Sequence, residues 1–304
     1  MDLSIIIVNW NTADLLIQCL ESIYTNLPKN TFEVLVLDND SSDQSVLLVQ
    51  QRFPQVTLLA SKENLGFAGG NNQAIQQSQG RYVLLLNPDT EVKPGALDEL
   101  TQFMDANPQA GAAGSCLLNP DGTLQHSCYP FPTPVGELWR LLHLDALYPY
   151  ALYRMDTWNR HEVQEVDVIQ GASLILRREV LNQVGLLDDT YFMYTEEVDL
   201  CYRIQKQGWQ LYWIPQSQVI HYGGQSTKQV ATKMFLCLYE SKLIFIRKHH
   251  GWLAAQLYKL ILMLITVVRL IITPLVWLER PTKRQKHLSL ANNYRCLLVA
   301  LPKM

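Results

Sequence analysis

The residues with the clearest chemical potential are four acids and one imidazole set near the ends of apolar runs. Tyr82-Val-Leu-Leu-Leu-Asn87 leads straight into Pro88-Asp89-Thr90, and Glu196, Glu197 and Asp199 crowd together some way before His221. An apolar run ending in a carboxylate places that acid at the carboxyl edge of a sheet, where open α/β folds bind their ligands. Hard oxygen ligands and an imidazole drawn from two halves of a chain suit a divalent cation plus a general base better than a structural purpose. These positions point to an enzyme.

Such a site needs a sheet to hold it, and the first half of the chain has the pattern of one. Apolar runs at 3–9, 32–38, 56–60 and 81–87 predict strands, and the periodicity at 13–24, 44–52, 69–79 and 94–106 predicts helices between them. The order β-α-β-α-β-α-β-α is that of a parallel sheet with crossover helices. After 111–118 the rhythm breaks at Asn119-Pro-Asp-Gly122, a strong turn signal. Residues 124–165 carry four prolines and little periodicity, so a loop-rich insertion over the site is expected there. Order returns with a strand-like stretch at 166–177, helices at 179–184 and 198–207, and a strand at 209–214 that should stop before Pro215.

Composition narrows the class. The chain has 304 residues, 48% hydrophobic and 17% charged, enough for one catalytic domain with an appendage. A net charge of -3 gives no argument for nucleic acid. Six cysteines without a C-x-x-C pair favour neither a zinc knuckle nor a disulfide framework. Met1-Asp2-Leu3-Ser4 lacks the features of a secretory signal, and a cytoplasmic main domain is the expectation.

Beyond about residue 230 the pattern becomes helical. Residues 260–278 are almost wholly apolar, broken by Arg269 and Pro274 and followed by a basic cluster at 280–286. Spanning a bilayer takes about 20 apolar residues, and a central arginine costs roughly 2.5–3.5 kcal/mol, so a spanning helix competes with one lying in the interface and with a core or dimer helix. The basic cluster suits an anionic cytoplasmic leaflet, and the expectation is membrane association, peripheral or anchored.

The motifs Ser4-Ile-Ile-Ile-Val-Asn-Trp-Asn11, Val36-Leu-Asp-Asn-Asp-Ser-Ser-Asp43, Asn64-Leu-Gly-Phe-Ala-Gly-Gly-Asn-Asn72 and Leu86-Asn-Pro-Asp89 together resemble the inverting glycosyltransferase family 2. So do Gly171-Ala-Ser-Leu-Ile-Leu-Arg-Arg178, Val184-Gly-Leu-Leu-Asp188, Tyr194-Thr-Glu-Glu-Val-Asp-Leu-Cys201 and His221-Tyr-Gly-Gly-Gln-Ser226, over roughly residues 3–226. The nearest subgroup in pattern is the rhamnosyltransferase-type enzymes of polysaccharide assembly. The resemblance implies a GT-A fold, a mixed α/β sheet flanked by helices. Residues 1–228 would form the catalytic domain, with a nucleotide-binding half at 1–118 and an acceptor half at 119–228. Residues 229–304 would form a helical, membrane-associated region.

Residue by residue, the resemblance implies the following roles. Asp38 contacts the donor nucleotide, with Asp40 nearby; an acid ending a strand can accept from a nucleobase imide or a ribose hydroxyl, although Asp38 to Ser41 also reads as a turn that caps the next helix. The backbone of Asn9 to Asn11 walls the other side. Asn64, Gly66, Gly69 and Asn72 belong to a Gly-rich turn that presents amides to a diphosphate or sugar, and Asn72 is the side chain of first interest. The D-x-D motif of the fold stands here as Asn87-Pro88-Asp89, leaving Asn87 on the donor side and Asp89 as a ligand of Mg²⁺ or Mn²⁺ with His221.

Glu197 matches the base position, where the family usually has aspartate in a Glu-Asp pair, and Asp199 is the runner-up. All three acids also suit the first turn of a helix, and an Asp199–Arg203 pair at i,i+4 would orient Asp199 rather than free it. The reaction implied is transfer of a sugar from a dTDP- or UDP-sugar to a hydroxyl of a polysaccharide or lipid-linked glycan. A nucleotidyltransferase on a similar sheet is one alternative, although no Gly- and Arg-rich triphosphate loop stands near residue 1; a non-catalytic, membrane-tethered nucleotide-sugar-binding module is the other.

Overall fold

The structure is a computed structural model that describes residues 1–225, 229–274 and 281–304. Two compact units are present, residues 1–131 with 153–229 and residues 132–152 with 230–304.

In the first unit the strands are β1 (Leu3–Asn9), β2 (Phe32–Asp38), β3 (Thr57–Ala60), β4 (Tyr82–Leu86), β5 (Thr90–Val92), β6 (Ala110–Leu118), β7 (Cys128–Tyr129), β8 (Gln164–Glu165), β9 (Val168–Ile169), β10 (Ser173–Arg177) and β11 (Gln210–His221). Its helices are α1 (Ala13–Thr25), α2 (Ser45–Arg52), α3 (Gly66–Gln77), α4 (Ala96–Ala106), α6 (Arg178–Val184) and α7 (Glu196–Lys206), with α5 (Pro134–Leu141) belonging to the second unit. Among the described residues one mixed sheet runs β3-β2-β1-β4-β10-β6-β11-β5, with β8 beside β11, while β7 and β9 pair separately. β3, β2, β1 and β4 are mutually parallel; β10 is antiparallel to both its neighbours.

Strict alternation explains the layers. Leu3, Ile5 and Ile7 of β1, Val34 and Val36 of β2 and Leu84 of β4 pack with Leu16, Leu20, Val49, Leu97 and Leu100 from α1, α2 and α4. The intervening Ile6, Leu35, Leu37, Val83 and Leu85 pack on the other face with Ala74, Ile75, Val180, Leu200 and Ile204 from α3, α6 and α7. A strand apolar at every position is buried on both faces, as the sequence pattern required.

Several elements differ from their sequence forecast. β5 has only three residues, too few to show a period. β11 runs through Pro215 for twelve residues instead of stopping before it, because its pairing with β6 shifts register between Ile214 and Gln218, and an irregularity accommodates a residue without an N–H. α3 begins at Gly66 rather than at Gly69, and α7 at Glu196 rather than at Val198. The stretch 166–177 is two strands, β9 and β10, broken around Gly171.

The second unit contains α5, α8 (Ala231–His250), α9 (Trp252–Ile272) and α10 (Pro281–Ala300). Thr133 caps α5 by accepting from the Gly136 N–H at 3.0 Å, with Pro134 at the first helical position. Buried Glu137 of α5 binds Lys242 Nζ at 2.6 Å and accepts from the Tyr258 hydroxyl at 3.3 Å, joining α5 to α8 and α9. This anchorage corrects the sequence division at 228: residues 132–152, forecast as part of the insertion in the catalytic half, group with the C-terminal helices. The apolar run forecast at 260–278 is centred earlier, in α9; 275–278 and the head of the basic cluster fall outside the described residues.

Gly66 has φ +72°, and a Cβ there would lie 2.2 Å from the Phe192 carbonyl oxygen. Gly95 has φ +80° with open space around it. Gly66→Ala should therefore lose more than about 2 kcal/mol of unfolding free energy in urea titration, whereas Gly95→Ala should lose only the roughly 1–2 kcal/mol of a left-handed backbone; equal losses would contradict the close approach at Gly66.

Candidate active site

The parallel register of β1 and β2 sets Asn9 against Asp38 at the carboxyl edge of the sheet. Asp38 is buried and accepts from Asn9 Nδ2 and from the Ser41 N–H, each at 2.9 Å. Ser41 Oγ in turn accepts from the Asn11 N–H at 2.9 Å, and Asn11 Oδ1 from the Ser42 N–H at 2.7 Å. These bonds hold the β1–α1 and β2–α2 loops together, with Asn11 at φ 51° and Asp40 at φ 63°. Beside them lies a cleft of about 450 Å³ bordered by Asn11, Thr12, Asp14, Asp43, Gln225 and Gln229. Asp40 is exposed and Asp43 bridges two helix starts, accepting from the Ala13 and Ser45 N–H groups.

The Gly-rich segment is tied to this edge by Asn39, a residue the sequence reading did not single out. Its Nδ2 donates to the Gly66 carbonyl at 2.9 Å and its Oδ1 accepts from the Leu65 N–H at 2.8 Å. Asn64 Oδ1 accepts from the Gly66 N–H at 3.0 Å. Gly69 stands in the first turns of α3, not in a loop, and Gly70 packs so closely on Val8 that a Cβ would meet Cγ1 at 2.9 Å. Asn72, expected at the donor, is engaged within the fold. Both ends of its amide bind the backbone of Leu187, donating to the carbonyl at 2.8 Å and accepting from the N–H at 3.1 Å. It positions the segment before α7.

Asp89 and His221 meet because β5 and β11 pair antiparallel with Thr90 opposite His221. Both side chains are buried, and Asp89 Oδ1 lies 3.4 Å from His221 Nε2. Asn87 Nδ2 is 3.4 Å from the same nitrogen. On the far side of the ring, Nδ1 is 2.6 Å from Gln125 Oε1. Gln125 Nε2 donates to Asn119 Oδ1 and to the His221 carbonyl, both at 3.0 Å, so Oε1 must be the end that faces the ring and Nδ1 must carry the proton. In the neutral imidazole Nε2 then presents its lone pair to the Asp89 carboxylate. Two electron-pair donors at that separation fit a cation between them.

Among the described residues no cluster of three or more His, Cys, Asp and Glu forms a complete metal cage. One carboxylate and one neutral imidazole fit Mg²⁺ or Mn²⁺ of the kind that keeps its remaining positions for waters and substrate phosphates. Gln125 was not legible as a partner from sequence, since it lies 96 residues from His221.

Across the β4 edge sits the acid pair. The Asn87 N–H donates to the Ala172 carbonyl at 3.0 Å, and a Cβ on the adjacent Gly171 would lie 3.8 Å from the Glu197 Cβ, so Glu197 and the Asn87–Asp89 turn flank the same two residues. Two consecutive left-handed residues, Tyr194 at φ 67° and Thr195 at φ 72°, deliver the chain into α7. Backbone strain of this kind, about 1–3 kcal/mol per residue, persists where surrounding structure enforces it. Among the described residues Oε2 of Glu196 and of Glu197 are both buried without a hydrogen-bond partner. Burial, and then the neighbouring Glu197 charge, pushes Glu196 well above the usual carboxylate range. Burial also raises Glu197, against backbone N–H groups of the first turn of α7 that favour its charged form.

Asp199 is different. It is fully buried and bound by Arg203 Nε at 2.7 Å, and Arg203 also donates to the Val184 and Leu186 carbonyls. The i,i+4 pair read from sequence is present, and it commits Asp199 to structure.

A family model described as glycosyl transferase family 2 matches residues 4–184. The chain belongs to glycosyltransferase family 2. It is 32% identical over 241 residues to the N-acetylglucosaminyl-diphospho-decaprenol L-rhamnosyltransferase of Mycobacterium tuberculosis, covering 74% of this chain and 78% of that one. Among solved structures it resembles a Pyrobaculum calidifontis mannosyltransferase in complex with GDP-Man and Mn²⁺, at a TM-score of 0.58 and 16% identity, covering 99% of this chain and 85% of that one. It also resembles GalNAc-T7 with UDP, GalNAc and Mn²⁺, at a TM-score of 0.56 and 16% identity, with 73% of this chain covering 44% of that longer one. The sheet and its flanking helices are thus the GT-A arrangement, and this family 2 member is a nucleotide-sugar glycosyltransferase similar to rhamnosyltransferases.

If Gln125 orients His221, Gln125→Leu should weaken Mn²⁺ binding in the presence of nucleoside diphosphate by about tenfold to a hundredfold, read as free Mn²⁺ by electron paramagnetic resonance, while Gln125→Glu keeps an acceptor for Nδ1–H and binds more nearly as wild type. Equal binding by all three proteins would contradict the orientation.

Proposed function

We propose that the protein is a metal-dependent inverting transferase that moves a sugar, rhamnose by preference, from a nucleoside diphosphate to a hydroxyl of a lipid-linked or polysaccharide acceptor at the cytoplasmic face of a membrane. The observation that carries this reading is that the Asn87–Asp89 turn, which brings Asp89 to His221, and Glu197, whose Oε2 is buried without a hydrogen-bond partner, flank Gly171–Ala172. The name of the mycobacterial relative supports the sugar and the polyprenyl-linked acceptor. The donor is dTDP-rhamnose in this reading, with a UDP-sugar as the competing donor.

Asp38, Asn9 and the loops of Asn11 and Asp40 hold the nucleoside. Asn87 and the Asn64–Gly69 segment border the diphosphate and sugar. Asp89 and His221 hold Mg²⁺ or Mn²⁺, which when bound neutralises charge on the diphosphate leaving group. Glu197 accepts the proton of the acceptor hydroxyl as that oxygen bonds to the anomeric carbon; the bond to the diphosphate breaks on the opposite face, and configuration inverts. Burial and the neighbouring Glu197 charge raise Glu196 well above the carboxylate range, while backbone N–H groups oppose the rise at Glu197, so Glu197 is the member of the pair that ionises first.

Purified protein with dTDP-rhamnose, a polyprenyl-diphosphate N-acetylglucosamine acceptor and Mn²⁺ should release dTDP in step with glycosylated product. Asp89→Ala should lose transfer at least about a hundredfold, and full activity in that variant would remove the metal assignment.

Glu197→Gln should lower transfer by roughly 10²–10⁴-fold. The same substitution should raise stability at neutral pH. A carboxyl whose folded value is raised contributes stability that is complete below its unfolded value, near 4.5, and is lost as pH rises through the folded value; Gln keeps the uncharged form throughout. The stability gap between variant and wild type should therefore close as pH falls toward 4.5, measured by thermal melts across pH, and a gap that widens on acidification would contradict the burial of Glu197.

A further inference from the structure

The second unit carries a surface that the transfer reaction does not explain. α9 is 21 residues long and apolar enough in composition to cross a membrane, yet among the described residues only one of its faces is covered. Ala255, Tyr258, Leu262 and Thr266 are buried in the unit. On the opposite side Leu253, Leu257, Leu260, Leu264, Val267 and Ile271 recur at alternating steps of four and three, and each is 39–77% exposed. That spacing keeps them in one stripe about 30 Å long.

The stripe is uncharged because both cations of the helix turn away from it. Lys259 Nζ donates to the Pro302 carbonyl at 3.4 Å, and Arg269 binds the Tyr294 hydroxyl and the Leu141 carbonyl. The bond to Leu141 also brings the turn after α5, with exposed Leu142, to the last turns of α9. At the other end the stripe is bordered by charge: Arg247 and Lys248 are exposed in the last turn of α8, followed by Gly251 and by Trp252, itself 63% exposed. Cations beside a tryptophan at the head of an apolar face complement the phosphates and acyl boundary of an anionic bilayer.

A spanning orientation does not suit the same helix. Its covered face packs on α5, α8 and α10, so crossing the bilayer would draw the Glu137–Lys242 pair and the polar sides of those helices to hydrocarbon depth.

We propose that the outward stripe of α9 is a lipid-binding surface that lays the second unit on an anionic phospholipid bilayer, with the helix in the plane of the interface. The proposal goes beyond the transfer reading, and its test reads no turnover, so either can fail alone.

Full-length protein should float with phosphatidylglycerol-rich vesicles and much less with pure phosphatidylcholine, and alkaline carbonate should strip it from isolated membranes. Leu257→Glu with Leu264→Glu should weaken partition roughly tenfold or more, since two exposed apolar side chains leave the acyl boundary. Arg247→Glu with Lys248→Glu should erase the preference for phosphatidylglycerol and the sensitivity of binding to salt. In the wild type, brominated acyl chains should quench a fluorescence component that Trp252→Phe lacks, a readout that does not depend on the folding of the charged variants.

Retention in membranes after carbonate would establish a spanning helix and overturn the proposal. So would flotation unchanged by the double glutamate, or a wild-type dimer that this variant converts to monomer without loss of vesicle binding, which would make the stripe a contact between copies.

Discussion

The site rests on one pairing, the three-residue antiparallel match of β5 with β11 that sets Thr90 opposite His221. Without it, Asp89 would end a turn after β4 and His221 would end a long strand with nothing to share. With it, a carboxylate and an imidazole from positions 132 residues apart face each other at 3.4 Å in a buried edge. The Tyr222 N–H to Asp89 carbonyl bond at 2.9 Å extends the pairing by one step and fixes the turn that carries the acid. Gln125 completes the arrangement by choosing the tautomer, because its own amide is oriented by Asn119 and by the His221 carbonyl. Side-chain chemistry here follows from backbone register.

The same edge concentrates backbone strain. Of the non-glycine residues with positive φ among the described residues, Asn11 and Asp40 lie in the loops around Asp38, and Tyr194 and Thr195 lead into Glu196–Glu197; only His143 lies elsewhere. Each is held by neighbouring hydrogen bonds or packing that over-determine its position. The bonds of Ser41 and Ser42 hold the first pair of loops, and Asn72 with the Arg203 carbonyl contacts holds the segment before α7. Asn72 and Asp199 are thus bound to the Leu187 backbone and to Arg203, and through those bonds they position the segment that leads into α7.

The parts of this design that could be read from the chain are those with a local cause. β1, β2 and β4 were legible because their central positions form unbroken apolar runs, Ile5–Val8, Val34–Leu37 and Val83–Leu86, and the doubly covered sheet follows from that pattern. The Asp199–Arg203 pair was legible because helix geometry brings i and i+4 together. What escaped reading has distant causes. Pro215 read as a strand end because the irregularity that absorbs it belongs to the pairing with β6, and β5 exists only because β11 is beside it. Gly66 looked like loop freedom, whereas its need is set by the Phe192 carbonyl, 126 residues away in the chain. Residues 132–152 read as part of an insertion over the site, although a buried ion pair to Lys242 places them with the C-terminal helices.

The claim on which the account turns is that His221 offers Nε2 to a cation it shares with Asp89. Electron spin-echo modulation of Mn²⁺ bound to the protein with nucleoside diphosphate reads that nitrogen directly. The account predicts a ¹⁴N coupling of a coordinated imidazole that disappears in His221→Gln while the nucleotide still binds. A spectrum with no nitrogen coupling in the wild-type protein, or one unchanged in the variant, would contradict it.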